Sequence, residues 1–437
     1  YGVFSSTRYP WPGIELDKKQ RDFVPLVPQG REDEFAKAEA DRRQEQSRLD
    51  NEVQRLKEAV QKAKGEKDDD RKRALEDQLK QAEHRAQELR SRPPLIETAY
   101  AVAEAKSRGD AAIQLKGDPN RLGDVVPRHF PAVLGGDVLP DNCEESGRRE
   151  LAEWLVSPEN PLPARVMMNR IWQHHFGRGF VTTPNDFGHQ GRRPSHPELL
   201  DWLATTFREE GWSIKAMHRR VLLSRTYQQS TMRSKRAVEL DPANELLAGT
   251  LQRRLDAEEI RDTLLLLGGN LELARPGPHP FPDQGTWGFT QHKPFKAVYD
   301  SNHRSVYLMT QRIQRHPFLA IFDGADPSTS TGARMTTTTP IQALYLLNDP
   351  FVHEQAQRVA ERVLWSGSST ADRVQFAFEL IFSRPARPEE IATAADFVQE
   401  ATVLLKAQGV PTEEVDGAVW RAYVRSLFRL NEFVYLD

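Results

Sequence analysis

The sequence predicts a mainly α-helical protein, in which a multi-helix domain carries an inserted antiparallel helical hairpin and a small β element. Two observations favour this fold class. Apolar residues recur at intervals of three and four over most of the chain, which is the period of one helix face. Runs typical of strands are confined to the stretch near residues 95–130. With 38% hydrophobic residues in 437, the chain can bury a sizeable core.

The opening segment, residues 1–30, is rich in proline, glycine and aromatic residues, and we expect it to be an irregular linker from a preceding domain. It begins with Tyr1 and shows no signal-peptide pattern, so we expect this chain to be a piece of a longer polypeptide. The missing signal pattern therefore leaves the compartment open.

Residues 31–93 are predicted to form an antiparallel coiled-coil hairpin. Apolar residues recur every three or four positions along two charged stretches, which is the heptad spacing of a helix seam. A polar break at residues 65–70 predicts the turn between the helices. The hairpin would either dock a partner or be a solvated insertion, and its thin, alanine-containing seam favours the insertion. The predicted seam residues are Leu49, Val53, Leu56 and Val60, followed by Leu75, Leu79, Ala82, Ala86 and Leu89.

Residues 94–145 are predicted to hold the small β element and a linker. Short β-like runs occupy residues 98–104 and 111–115. A turn signal at residues 117–120 separates the second run from another at 125–127.

Residues 146–350 are predicted to form the main helical domain with long irregular loops, and residues 351–437 a C-terminal helical subdomain. Two capping boxes mark helix starts, one in which Ser195 pairs with Glu198 and one in which Thr339 pairs with Gln342. The predicted helices are 148–156, 161–176, 197–210, 213–224 and 256–267, then 351–364, 371–382, 388–406 and 414–431.

Charge and cysteine content exclude several classes of protein. The 60 basic and 63 acidic side chains leave a net charge of -3, which argues against a protein that binds nucleic acid along its whole length. No apolar window is long enough for a membrane span. Cys143 is the only cysteine, so an internal disulfide, a CxxCH haem motif and a cysteine-based zinc site are excluded within this chain.

Three histidines and an aspartate form a candidate metal site, because imidazole and carboxylate groups bind zinc and other divalent ions. Their spacing matches no metal-binding motif. The alternative interpretation is helix capping, in which His175 and His196 lie at helix ends. The candidate metal ligands are His175, Asp186, His189 and His196.

A second candidate site is a network of charged residues in helical or apolar surroundings. Burying an unpaired charge is costly, so these residues must pair with each other or with a ligand. Arginines outnumber aspartates in the set, which favours an anion or a hydroxyl-rich ligand; equally, the residues would staple loops onto a helical core. The candidate ligand-binding residues are Arg165, Arg170, His175, Asp186, Arg254, Arg304, Asp323 and Arg334.

Two irregular segments are further candidates. Residues 271–302 carry Trp287, Phe289, Phe295 and Tyr299, which would either form a sugar-binding surface or cover the core. The loop 323–339 carries hydroxyls and carboxylates that would either bind Ca²⁺ or cap its own backbone, and capping is the preferred interpretation.

A series of motifs in the second half of the chain carries a family resemblance. Residues 160–180 read NPLPARVMMNRIWQHHFGRGF and residues 194–203 read PSHPELLDWL. They are followed by RLDAEEIRD at 254–262, TPIQAL at 339–344 and NEFVY at 431–435. In this order the motifs resemble a planctomycete-specific family, the domain of unknown function fifteen-fifty-three.

The resemblance implies an exported protein, periplasmic or on the cell surface, of the planctomycete type. Such proteins often carry a c-type cytochrome domain, so any haem would lie on a missing segment or on a partner. We therefore expect a binding or assembly module of a larger cytochrome-associated protein or complex. Expected partners are other protein chains or the N-terminal part of the same polypeptide, with a polysaccharide as a further candidate and no nucleic acid.

The alternative function is an enzyme that acts on a carbohydrate or another polyanionic substrate, with or without a divalent metal. Its cleft would lie between the helices at 160–200 and the loops at 280–340. Carboxylates with a raised pKa in an aromatic cleft would favour the enzyme. A helical core filled with paired charges would favour the binding module.

Overall fold

The computed structural model describes residues 1–11, 21–63, 69–91, 95–140, 143–280, 288, 290, 292–295 and 298–436. These residues form two compact units, one mainly from Tyr1–Leu155 and the other from most of the described residues that follow. Helices predominate, and every sheet in the described part of the chain has two strands. The predicted mainly α-helical fold with a small β element is confirmed. None of the described helices is long and apolar enough to cross a bilayer.

In the first unit, the predicted hairpin is formed by α2 (Glu32–Ala63) and α3 (Asp69–Ser91), which follow the short helix α1 (Gly2–Ser5). Ion pairs between the two helices show that they are antiparallel. Glu52 pairs with Arg85 at 2.8 Å and Lys57 with Glu83 at 3.0 Å, so residue numbers rise along α2 as those of the partners on α3 fall. Every predicted seam residue is buried or half-buried. Residues 65–68 of the predicted turn lie outside the described residues.

The small β element also lies in the first unit, and the opening segment contributes to it. Strand β1 (Thr7–Arg8) pairs with β4 (Ala103–Glu104), and β2 (Val24–Pro25) pairs with β3 (Thr98–Ala99). A third antiparallel pair joins β5 (Ala111–Gln114) to β6 (Leu122–Val126). Residues 1–30 are therefore more than the irregular linker expected from their composition, because strand pairing with residues far along the chain organises two parts of them. The unit ends with α4 (Arg148–Val156).

The second unit begins with three helices that share a hydrophobic core: α5 (Leu162–Phe176), α6 (Pro197–Glu209) and α7 (Ile214–Leu222). Met168 and Met217 are fully buried between them, and Phe207 packs against the same cluster. The short helix α8 (Lys235–Leu240) follows.

A larger core in the same unit spans the predicted boundary at residue 350. Ile260, which precedes that boundary, is buried in one cluster with Val359, Val374 and Trp420, which follow it. The boundary therefore does not separate two cores. The helices are α9 (Ala257–Leu267), α10 (Pro317–Ile321), α11 (Pro340–Asn348), α12 (Pro350–Ser366), α13 (Thr370–Phe382), α14 (Pro388–Ala407), α15 (Thr412–Leu427) and α16 (Asn431–Val434).

A short antiparallel ladder joins the last described residues to the start of α9. Strand β7 (Arg253–Arg254) pairs with β8 (Tyr435–Leu436), with Arg254 opposite Tyr435. The ladder continues into the core, because Leu255 N–H donates to the carbonyl of Val434 at 2.8 Å. This pairing fixes the segment that leads into α9.

One predicted capping box is confirmed and the other is wrong. Thr339 caps α11 by accepting from Gln342 N–H, and the Gln342 side chain reaches back to the cap. Helix α6 instead starts after His196, and no side chain caps it. Ser195 lies one residue before the N-cap position, which His196 occupies. The Ser195 N–H donates to the Phe180 carbonyl at 3.0 Å, and its hydroxyl contacts the His196 ring.

We predict that the second unit does not depend on the hairpin, because the buried side chains of α2 and α3 contact each other. Replacing residues 34–90 by a short Gly/Ser linker should change the Tm of the second unit by less than about 3 °C, as expected for a stability change below about 1 kcal/mol. Calorimetry measures the transition. Leu264→Ala, in the core, is the positive control and should lower the Tm clearly, because such truncations cost about 2–5 kcal/mol. A comparable fall on removal of the hairpin would contradict the prediction.

Candidate functional site

A cavity of about 350 Å³ lies in the second unit, where the end of α5 meets β7, the start of α9 and the loop before α11. Its volume falls within the range of about 300–1,000 Å³ that is typical of small-molecule sites. Most of its lining is polar. The lining residues are Gln173, His174, Phe176, Gly177, Leu251, Gln252, Arg253, Arg254, Asp256, Ala333, Arg334, Thr336 and Tyr435.

The end of α5 is fixed by a buried asparagine. The Asn169 side chain accepts from Val181 N–H at 2.8 Å and donates to the Val181 carbonyl at 3.0 Å. Helix α5 stops at Phe176 because Gly177 adopts a left-handed conformation with φ of 75°. The chain then turns tightly against Asn169, and Gln173 and His174 are left at the edge of the cavity.

Two arginines beside the cavity are held by bidentate ion pairs. Arg253 contacts Glu259 through both of its terminal nitrogens, at 2.8 and 2.9 Å. Arg334 contacts Glu258 in the same fork geometry, with Nη2 at 3.0 Å from Oε1. A bidentate pair fixes the guanidinium plane as well as its position. The cavity wall is therefore organised by the protein itself.

Arg254 is the most buried of the cavity arginines, with 7% of its side chain exposed. Its Nη2 donates to Gln342 Oε1 at 3.0 Å, and its Nη1 lies 3.6 Å from Asp323 Oδ2. Its Nε–H has no acceptor within the described part of the chain.

Asp256 is the carboxylate that lines the cavity and also precedes α9 as its N-cap residue. Burial raises the pKa of this carboxyl group, the adjacent Glu259 and Glu258 raise it further, and Arg334 and Arg253 oppose the rise. The contrast with Glu259 is clear. Burial also acts on Glu259, but hydrogen bonds from Arg253 and from Asp256 N–H outweigh it, and the pKa of Glu259 is lowered.

The loop between α10 and α11 forms one wall of the cavity. The two ends of this loop are joined by the Asp323 carboxylate, which accepts from the N–H and the hydroxyl of Thr337 at 2.8 and 2.9 Å. Gln173 donates to the Gly332 carbonyl at 3.1 Å and ties the loop to α5. These contacts agree with the capping interpretation of this loop.

The structure brings together three of the eight predicted ligand-binding residues: Arg254 and Asp323 are neighbours, and Arg334 lines the same cavity as Arg254. The others have different partners. The Arg165 guanidinium binds Asp201, and Arg170 contacts Asn185. Asp186 accepts from Gly188 N–H, His175 contacts His218, and Arg304 is exposed.

The candidate metal ligands do not converge in the described residues, where no three His, Cys, Asp or Glu side chains are placed to hold an ion. His175 Nε2 lies 2.7 Å from His218 Nδ1, and the ring centroids are 4.9 Å apart. These distances place the nitrogens nearly in line between the rings, as in an N–H···N hydrogen bond. Burial, followed by the nearby His218, His174 and Arg253, lowers the pKa of His175.

Sequence reasoning missed several residues that organise the cavity. Glu258 was not among the candidates, and its partner Arg334 lies 76 residues further along the chain. Arg253 and Glu259 were not singled out, although the capping box formed by Asp256 and Glu259 was a usable signal. Of the aromatic residues proposed as a sugar surface, Trp287 and Phe289 lie outside the described residues, and Tyr299 stacks on His279.

Fold and cavity together define a mainly helical protein with a polar, arginine-lined cavity in its second unit. The chain belongs to the protein family of unknown function DUF1553, also called PSD1, whose sequence profile matches residues 147–398. This confirms the resemblance drawn from the motifs. No curated protein and no solved structure shows significant similarity to the chain.

We predict that the Arg334–Glu258 pair holds the cavity loop closed. Glu258→Gln should raise the hydrogen-exchange rate of amides in residues 324–336 by about tenfold, because hydrogen bonds to charged groups contribute about 1.5–3 kcal/mol. Glu354→Gln is the matched control, because it removes an exposed ion pair with Arg358 on α12. Unchanged exchange in the loop of the Glu258 variant would show that other contacts close it.

We also predict that ionisation of Asp256 destabilises the native state. A carboxyl group whose pKa is raised on folding stabilises the protein below its unfolded-state pKa, and this stability is lost as the pH rises through the folded-state pKa. Asp256→Asn keeps a good N-cap and removes the charge. It should therefore raise the Tm at neutral pH, and the difference should shrink in acid.

The control is Glu390, a carboxyl group whose pKa is shifted in the opposite direction from that of Asp256. Hydrogen bonds from Arg384 lower the pKa of Glu390 to about 2. Glu390→Gln should therefore lower the Tm at neutral pH, and that difference should also shrink as the pH falls towards the folded-state pKa. Thermal unfolding of both variants and the parent chain over a range of pH measures the two effects. A lower Tm of Asp256→Asn at neutral pH would refute the assignment.

Proposed function

We propose that this chain is a binding module of a larger assembly and that it holds a polar, hydroxyl-rich ligand in the cavity beside α9. The observation that carries the proposal is the position of the family motifs. Motifs that are far apart in the sequence supply neighbouring parts of one cavity. They contribute Gln173, His174 and Gly177 from residues 160–180, Arg254 and Asp256 from 254–262, Gln342 behind Arg254, and Tyr435 from 431–435.

The chemistry of the lining supports a ligand with hydroxyl groups. Guanidinium and amide donors lie beside a carboxylate acceptor, and a hydroxyl group both donates and accepts. The bidentate ion pairs hold these groups in place before a ligand arrives, which lowers the entropic cost of binding. Tyr435, which is half-buried, supplies an aromatic surface on which a sugar ring can pack.

The charge balance favours such a ligand over an anion. The arginine excess of the predicted residue set is not found at the cavity, because most of those arginines lie elsewhere. Each cavity arginine already has a carboxylate beside it, and one carboxylate remains. The charged side chains at the cavity are Arg253, Arg254 and Arg334, with Asp256, Glu258, Glu259 and Asp323.

The wider context of the proposal rests on the family resemblance. It comprises export to the periplasm or cell surface, a planctomycete-type protein, and association with a c-type cytochrome on another segment or chain. The hairpin of α2 and α3 supports an assembly role, since it offers a long charged surface to partner chains.

A second candidate function is an enzyme that acts on a carbohydrate. It is favoured by Asp256, because a carboxyl group with a raised pKa inside a cavity is typical of a general acid. Turnover distinguishes the two functions: an enzyme would release product from an oligosaccharide, and Asp256→Asn would abolish that release.

The test of the binding proposal uses a blocked cavity. Ala333 lines the cavity and is exposed, so Ala333→Trp should fill it without disturbing the core. Ala325→Trp is the matched control, because Ala325 is exposed on the same loop outside the lining. Saturation-transfer NMR with glucose, xylose, glucosamine and N-acetylglucosamine at millimolar concentration measures binding.

We predict that the parent chain and Ala325→Trp bind at least one of these sugars and that Ala333→Trp weakens the binding about tenfold, a loss of about 1.4 kcal/mol. Binding that survives in Ala333→Trp would place the ligand elsewhere. A parent chain that binds none of the four sugars would overturn the proposal.

A further inference from the structure

We infer that the ligand of this cavity carries a primary ammonium group, which pairs with the Asp256 carboxylate, on a hydroxyl-rich frame of the amino-sugar class. The inference rests on the proposed function and makes its ligand specific. It rests on the ion pairs around the cavity, which leave one carboxylate in excess of the arginines.

Arg253 and Glu259 neutralise each other. Both terminal nitrogens of Arg253 are engaged by the two carboxylate oxygens, and Glu259 also accepts from Asp256 N–H at 2.8 Å. In this bidentate pair each group already has its counter-charge.

Arg334 and Glu258 form the second neutral pair, again through both terminal nitrogens. Arg254 is balanced by Asp323, with Gln342 as its hydrogen-bonding neighbour. Three arginines are therefore matched with three carboxylates.

Asp256 is the fourth carboxylate. Its closest cation is Arg334, whose Nη1 lies 3.7 Å away and is already bound to Glu258. About a third of the Asp256 side chain is exposed, at 38%, and the residue lines the cavity. Within the described part of the chain, the charges close to Asp256 are Arg334, Arg253, Glu259 and Glu258, and the last two repel it. The cavity region thus holds one carboxylate more than its three arginines, and Asp256 shares its nearest arginine with Glu258.

A ligand cation resolves this imbalance, and a ligand anion makes it worse. An ammonium group in contact with Asp256 would gain Coulomb energy in a partly desolvated site, where the effective dielectric constant is lower than in water. A carboxylate or phosphate would meet Asp256 as a like charge, while the arginines that could attract it are occupied.

The remaining lining selects the frame of the ligand. Gln173, His174 and Thr336 add polar groups to the lining that Asp256 shares. Hydroxyl groups on several carbons can satisfy these positions together, whereas a simple alkyl amine cannot. An amino sugar combines both features.

The test compares isosteric sugars on the intact chain. Glucose, N-acetylglucosamine and glucosamine differ only at carbon 2, which carries a hydroxyl, a neutral amide or an ammonium group. Calorimetric titration at pH 7 should show that glucosamine binds about tenfold more tightly than glucose, a difference of about 1.4 kcal/mol. The preference should weaken as the pH falls and Asp256 becomes protonated.

Two variants separate charge from folding. Asp256→Asn should abolish the preference for glucosamine over glucose, and the start of α9 should stay folded because asparagine also serves as an N-cap. Glu198→Gln is the matched control, because it removes an exposed carboxylate from the first turn of α6, away from the cavity, and should keep the preference.

Each other outcome overturns a defined part of the argument. Equal binding of glucose and glucosamine would refute the ammonium and leave the binding module standing. Tighter binding of glucuronate than of glucosamine would refute the charge assignment. Putrescine that binds as well as glucosamine would refute the sugar frame. A chain that binds none of these compounds would overturn both the inference and the proposed function.

Discussion

The fork between Arg334 and Glu258 is the contact on which the cavity depends. It joins the middle of a loop with little regular structure to the first turn of α9, a helix whose inner face is buried in the main core. Without this contact the loop would be held to α5 by Gln173 and closed at its ends by Asp323. Burying an unpaired charge is costly, so the ion pair that positions the loop also stabilises its half-buried arginine.

The same principle explains why the first turn of α9 is so acidic. Asp256, Glu258 and Glu259 all lie where the helix dipole favours negative charge. Two of them are neutralised by arginines that approach from β7 and from the loop, and the third faces the cavity. The pairing of β7 with β8 fixes this geometry, because it holds the segment that leads into α9 against the last residues of the fold.

Local patterns predicted much of the fold, and long-range pairing explains what they did not predict. The hairpin followed from a heptad seam, and the start of α11 from one capping box, because both signals involve neighbours in sequence. The strands formed by residues 7–8 and 24–25 depend on partners near residue 100, so composition alone indicated a linker. At the cavity, Arg254 was recognisable as a buried charge, but its partner Asp323 lies far along the chain.

The excess carboxylate, Asp256, determines which ligand charge the cavity favours. A cavity whose arginines were free would attract any anion, and selectivity would then depend on shape alone. Here each arginine is occupied, and so it acts as a fixed hydrogen-bond donor and contributes little net charge. The helix dipole keeps Asp256 from becoming too costly as an anion, while Glu258 and Glu259 keep it from being fully stabilised. A carboxylate held between these two effects gains more from an incoming cation than one already held in a bidentate ion pair, and we therefore expect the cavity to prefer a cationic ligand.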